Sequence, residues 1–60
     1  MPIDDIIAFF RSAEHAAFEE PCREKGTGTF EAVFSFAGHK VTCTDVYSDG
    51  ALQKATTVVD

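Results

Sequence analysis

"TFEAVFSFAGHKVTCTDVYSDGALQKATTVV", residues 29–59, is the stretch whose reading decides the fold. Its first part, Thr29 to Ala37, is rich in aromatic and β-branched residues, which favour extended backbone. Gly38-His39 breaks the run. Lys40 to Tyr47 then reads as a half-buried strand, polar and apolar side chains alternating from Lys40 to Thr44. Asp49-Gly50 is a strong hairpin signal, and Ala51 to Val59 reads as a last strand. Short turns between three consecutive strands predict an antiparallel meander.

The register can be worked out from the turns alone. With Gly38-His39 as a two-residue turn, Phe36 faces Val41, Phe34 faces Cys43, Ala32 faces Asp45 and Phe30 faces Tyr47. With Asp49-Gly50 as the second turn, Tyr47 faces Leu52, Asp45 faces Lys54, Cys43 faces Thr56 and Val41 faces Val58. Side chains alternate between faces, so one face carries Phe30, Phe34, Phe36, Val41, Cys43, Tyr47, Leu52 and Val58. The other is rich in threonine, with Val33, Val46 and Val59 among Thr29, Thr42, Thr44 and Thr57. The three phenylalanines therefore read as core rather than as a ligand surface. Asp45 and Lys54 become cross-strand neighbours that pair near the rim, Lys54 reaching outward on its stem. The last strand is open to one alternative: a one-residue slip turns Ala51, Ala55 and Val59 inward instead.

The preceding segment reads as one helix. Pro2 suits a first helical position, and Asp4 and Asp5 complement the helix dipole in the first turn. At about 100° per residue, Ile3, Ile6, Ile7, Phe10, Ala13, Ala17 and Phe18 form one apolar stripe. Asp4, Arg11, Ser12, His15 and Glu19 fall opposite it. Pro21 disfavours helical geometry at Glu20, so the helix is expected to end near Glu19 or Glu20. "PCREKGTG", residues 21–28, is then a loop. The fold class that follows is α+β, a single domain over residues 1–60, with one N-terminal helix packed on a three-stranded antiparallel meander (αβββ). That order resembles the first part of double-stranded RNA-binding domains, without their final helix and basic residues, and no residue role follows from it.

Composition limits the function. A 60-residue domain buries only about 60% of its unfolded surface, so a partner or a second copy is expected to support it. At 45% hydrophobic and 25% charged, the chain is not a disordered one. No apolar run spans a bilayer, and "MPIDDIIAFF" is unlike a signal-peptide start, so a cytoplasmic location is expected. Cys22 and Cys43 are then thiols, with a bridge between them as the alternative in a secreted protein. The net charge is −5. Six acids stand against two arginines in residues 1–24, and four against three lysines in the rest. Direct binding to nucleic acid needs the opposite sign. A partner with a basic surface suits it.

Catalytic and metal constellations are weakly represented. His15, Glu19 and Cys22 share helical spacing, but no second Cys/His pair stands at zinc spacing. Cys43 sits in the central strand, where a thiol packs rather than reacts. "GTG" precedes a strand and opens no helix, so it lacks phosphate-loop geometry. No cofactor, no metal and no enzymatic activity are expected.

The reading that remains is a small acidic protein-binding module. It is similar in size and charge to anti-CRISPR proteins. A phage or mobile-element inhibitor that occupies the nucleic-acid-binding surface of a host defence protein, by mimicry through clustered carboxylates, is the specific expectation. Asp4, Asp5, Glu14, Glu19, Glu20 and Glu24 are its expected electrostatic surface. Phe9, off the apolar stripe and ringed by acids, is its expected exposed anchor. The alternative is a homodimeric structural or regulatory protein with no inhibitory role, assembled through the threonine-rich sheet face or an edge strand.

Overall fold

A computed structural model describes residues 1–60. The order is α1 (Ile3–Phe10), α2 (Ala13–Lys25), β1 (Gly28–Phe36), β2 (His39–Ser48) and β3 (Ala51–Val59). The strands form one antiparallel sheet in the order β1-β2-β3. The α+β class and the meander are as the sequence predicts. The helical layer is not one rod but two helices.

Ser12 divides them. Its backbone is extended (φ −73°, ψ 155°). Its hydroxyl donates to the Phe9 carbonyl at 2.6 Å and accepts from the His15 amide at 3.3 Å. The Phe9 carbonyl also accepts from the Ser12 amide at 3.0 Å, so the side chain adds a second bond at the end of α1 and satisfies an orphan N–H at the start of α2. The break frees α1 from the rotational phase of α2, and the predicted continuous stripe does not survive it. Ile3, Ile7 and Phe10 are exposed, Ile3 at 73%. Phe9, expected outside, is 2% exposed and lies at the centre of the core with Val41 and Cys43. Its ring meets Phe34 at 5.2 Å and Phe36 at 5.5 Å edge to face, the arrangement ring quadrupoles favour.

The second helix also departs from expectation. It runs through Pro21 to Lys25 and ends at Gly26, whose φ of +86° suits glycine. Pro21 has no N–H to offer the Ala17 carbonyl, which weakens the helix there without ending it. His15, Phe18 and Cys22, at helical spacing, turn toward the sheet, and His15 and Cys22 are buried. His15 was expected on the solvated face.

The sheet keeps its predicted faces on β1 and β2 but not its predicted pairing. The first turn is Ala37-Gly38 rather than Gly38-His39, so Phe34 pairs with Val41, Ala32 with Cys43 and Phe30 with Asp45. The shift is two residues, which is one side-chain period, so the same residues point inward. Ala37 accepts φ +52° to make this turn. The second turn is Asp49-Gly50 as predicted, and Tyr47 faces Leu52. A bulge follows: Val46 pairs with Lys54, and Gln53 has no partner across the ladder. Beyond it Ala55, Thr57 and Val59 face inward, and Lys54 and Val58 face outward. The open alternative for this strand is therefore realised after the bulge. Lys54 does not pair with Asp45; it stands on the other face, opposite Val46.

The loop after α2 is fastened to the second hairpin. The Gly50 amide donates to the Gly26 carbonyl at 2.9 Å, and the Asp49 amide donates to the Thr27 hydroxyl at 3.1 Å.

Candidate partner-binding groove

The helices cover the inner face of β1 and β2, and that cover is incomplete along β1. Inward residues of β2 from Val41 to Tyr47 are buried, whereas those of β1 are only half-buried. Between α2 and the outer side of β1 lies an open groove of about 580 Å³. Phe18, Ala17 and Pro21 form its helical wall, and Phe30, Ala32 and Phe34 its sheet wall. Phe18 and Phe34 meet edge to face at 5.9 Å, closing one part of the floor. Cys22 lies within it, its thiol donating to the Phe18 carbonyl at 3.2 Å. Lys25 stands 5.7 Å above the Phe30 ring, a cation over a π face. Glu14 supplies the negative charge of the lining; Glu31 borders it from the outer face of β1, where its carboxylate accepts from the Thr44 hydroxyl at 3.4 Å.

β1 is an edge strand, so the groove runs beside unpaired backbone. Phe36 and His39 close a two-residue hairpin and exchange hydrogen bonds. Alternation then directs the N–H and C=O groups of Phe34, Ala32 and Phe30 toward β2. Those of Thr29, Glu31, Val33 and Ser35 point away from the sheet. A chain laid along that edge finds donors and acceptors at the strand's spacing, and alternate side chains of such a chain enter the groove.

A second polar cluster lies under α2. His15 is packed edge to face against Phe9 and Phe10 at 5.3 and 5.0 Å. Its Nδ1 lies 3.1 Å from a Glu19 carboxylate oxygen, but out of line for a hydrogen bond. Asp45 is 4% exposed. Burial pushes its carboxyl up from the usual range, the negative charge of Glu19 adds to this, and His15 opposes it. Burial likewise pushes the thiols of Cys22 and Cys43 up. Both are free, and a raised thiol is a poor nucleophile near neutral pH. His15, Glu19 and Cys22 are not placed together to hold a metal ion.

The acids expected to act as one surface are distributed. Asp4 and Asp5 lie in the first turn of α1. Glu14 lines the groove. Glu19 lies beside His15 and pairs with Arg23 at 3.8 Å. Glu20 and Glu24, one helical turn apart, are exposed on the outward side of α2. Phe9 is core and anchors nothing outside the chain. Sequence reasoning missed Phe18, Pro21, Lys25, Phe30 and Glu31 as groove residues. The reason is Pro21: reading it as a helix stop removed the stretch of α2 that overhangs β1.

No helix is long and apolar enough to cross a membrane. No family model, curated protein or solved structure matches the chain.

Proposed function

We propose that this chain is a non-enzymatic protein-binding module that takes an extended segment of a partner along the free edge of β1, beneath α2. The observation that carries the reading is the coincidence of an apolar groove with an unpaired strand edge. Backbone pairing supplies affinity that does not depend on sequence, and the groove selects apolar side chains at alternate positions. Lysine or arginine between them meets Glu31 on the outer face, and Glu14 at the groove together with the net charge of −5 steers a basic partner toward the module.

The narrower reading, an inhibitor carried by a phage or mobile element and set against a basic nucleic-acid-binding surface in the host cytoplasm, draws on the same charge. Asp4, Asp5, Glu14, Glu20 and Glu24 are engaged in no ion pair within the chain. The homodimeric alternative needs no ligand in the groove.

The test is a titration of the isotope-labelled chain with an acetylated heptapeptide alternating valine and lysine, followed by backbone NMR. Shifts centred on the amides of Thr29, Glu31 and Val33 are expected. They weaken with added salt and with Glu14→Lys and Glu31→Lys together. A valine–glutamate peptide that binds as well, or shifts confined to α1 and β3, would falsify the groove reading.

A further inference from the structure

The other edge of the sheet is built differently. Every residue of β3 is exposed, so neither face of the strand is covered. The bulge at Gln53 interrupts the first part of this edge, a device of strands that avoid pairing. After the bulge the strand runs on regularly from Lys54, and the Asp60 amide still donates to the Lys40 carbonyl at 2.9 Å. That bond fixes the alternation. Lys54, Thr56, Val58 and Asp60 direct their backbone groups to β2, and Ala55, Thr57 and Val59 direct theirs outward.

We propose that this run pairs antiparallel with the same run of a second copy, with Thr57 on the two-fold axis, joining two sheets into one of six strands. The register is selected by charge and by backbone together. With Thr57 at the axis, Ala55 of one copy faces Val59 of the other, both with outward backbone groups. Thr56 faces Val58. Lys54 faces Asp60, so the only cation of the strand meets the carboxylate at its end, twice per dimer, both on the outer face. Moving the axis to Ala55 sets Lys54 against Thr56, and Asp60 against the turn at Gly50. Moving it to Thr56 sets Lys54 against Val58, and Asp60 against Leu52. Neither matches the charges. On the inner face, the Thr57 register brings the open Ala55 and Val59 of the two copies together, and a domain with a core this small gains from covering them. The pairing stands apart from the groove, which lies on the opposite edge.

Sedimentation equilibrium of the full chain, from about 1 µM to about 1 mM, tests this. The mass is expected to rise from 6.5 kDa toward twice that value. Thr57→Pro removes an outward N–H that the fold itself does not use, a position at which an edge strand tolerates proline, and is expected to hold the chain at the single mass. Lys54→Glu and Asp60→Lys each place like charges opposite one another and are expected to weaken association about tenfold. The double variant restores it. These exposed charges decide the matter even where Thr57→Pro does not fold. A wild-type chain that stays at 6.5 kDa throughout overturns the proposal, including the case in which β3 serves a different protein's strand. So does a dimer indifferent to Thr57→Pro, or a double variant no better than its parents. Glu14→Lys with Glu31→Lys leaves the mass profile unchanged, so this result and that of the groove are read separately.

Discussion

The two edges of this sheet are made from strands of equal length, yet they hold opposite positions in the molecule. β1 lies under α2 and shares its phenylalanines with the core; β3 has no cover on either face. Apolar content does not separate them, since β3 contributes Leu52, Val58 and Val59, each partly exposed. What separates them is reach. Two short helices joined at Ser12 cover two strands, and Phe9, wedged among Phe34, Phe36, Val41 and Cys43, fixes which two. The fold's stability is therefore concentrated on the β1 side, and β3 is held mainly by its ladder with β2.

The largest expected effect tests that concentration. Phe9→Ala removes the central ring of the core and should cost about 3–5 kcal/mol, enough to leave much of so small a domain unfolded by urea titration. A loss under about 1 kcal/mol would mean that the two sides are equally loaded and that the contrast is wrong. Ser12→Ala comes next. Losing a hydroxyl that serves both helices should cost about 1–2 kcal/mol, and hydrogen exchange should quicken in α1 and α2 while β3 is unchanged.

Asp45→Asn should act in the other direction. The folded state raises the Asp45 pKa above its unfolded value near 3.8. The folded chain then binds the proton more tightly. This contribution is fully present below that value and is lost as pH rises through the raised one. The asparagine variant should match the wild type in acid and exceed it by about 1 kcal/mol near neutral pH, seen as a melting temperature higher by roughly 4–8 °C. Equal pH profiles for the two proteins would show that the carboxyl is not burdened by its burial. The smallest effect belongs to the open edge. Leu52→Ala, measured at concentrations where the chain is monomeric, should change stability by about 0.5 kcal/mol or less. A loss as large as that of Phe9→Ala would place hidden packing on β3.

Much of this was legible in the residues, and the parts that were not have specific causes. Alternation gave the inward faces of β1 and β2, because a register error of two residues leaves faces unchanged. The turn itself was misplaced, since both Ala37-Gly38 and Gly38-His39 contain the same glycine, and nothing in an alanine announces a positive φ. The bulge at Gln53 carries no glycine to mark it, yet it alone decides that Lys54 leaves Asp45 without a cation. Ser12 followed by Ala13 and Glu14 is a fair start signal for a helix. It was overridden by a periodicity that ran through it. Moving the break to Ser12 exchanges Phe9 for Phe10 at the core, and with it goes the only apolar anchor assigned to the candidate surface. A helix that stops at Pro21 leaves no overhang on β1, and so no groove.

The bond from the Gly50 amide to the Gly26 carbonyl gives α2 an uncommon tether. The helix ends where β3 begins, at the far corner of the sheet from its own strand neighbour's free margin. Swinging α2 outward as a lid would tear that tether and unseat the Asp49-Gly50 turn with it. The slot beside β1 is open along its side, so a segment can be laid into it while that wall stays tied.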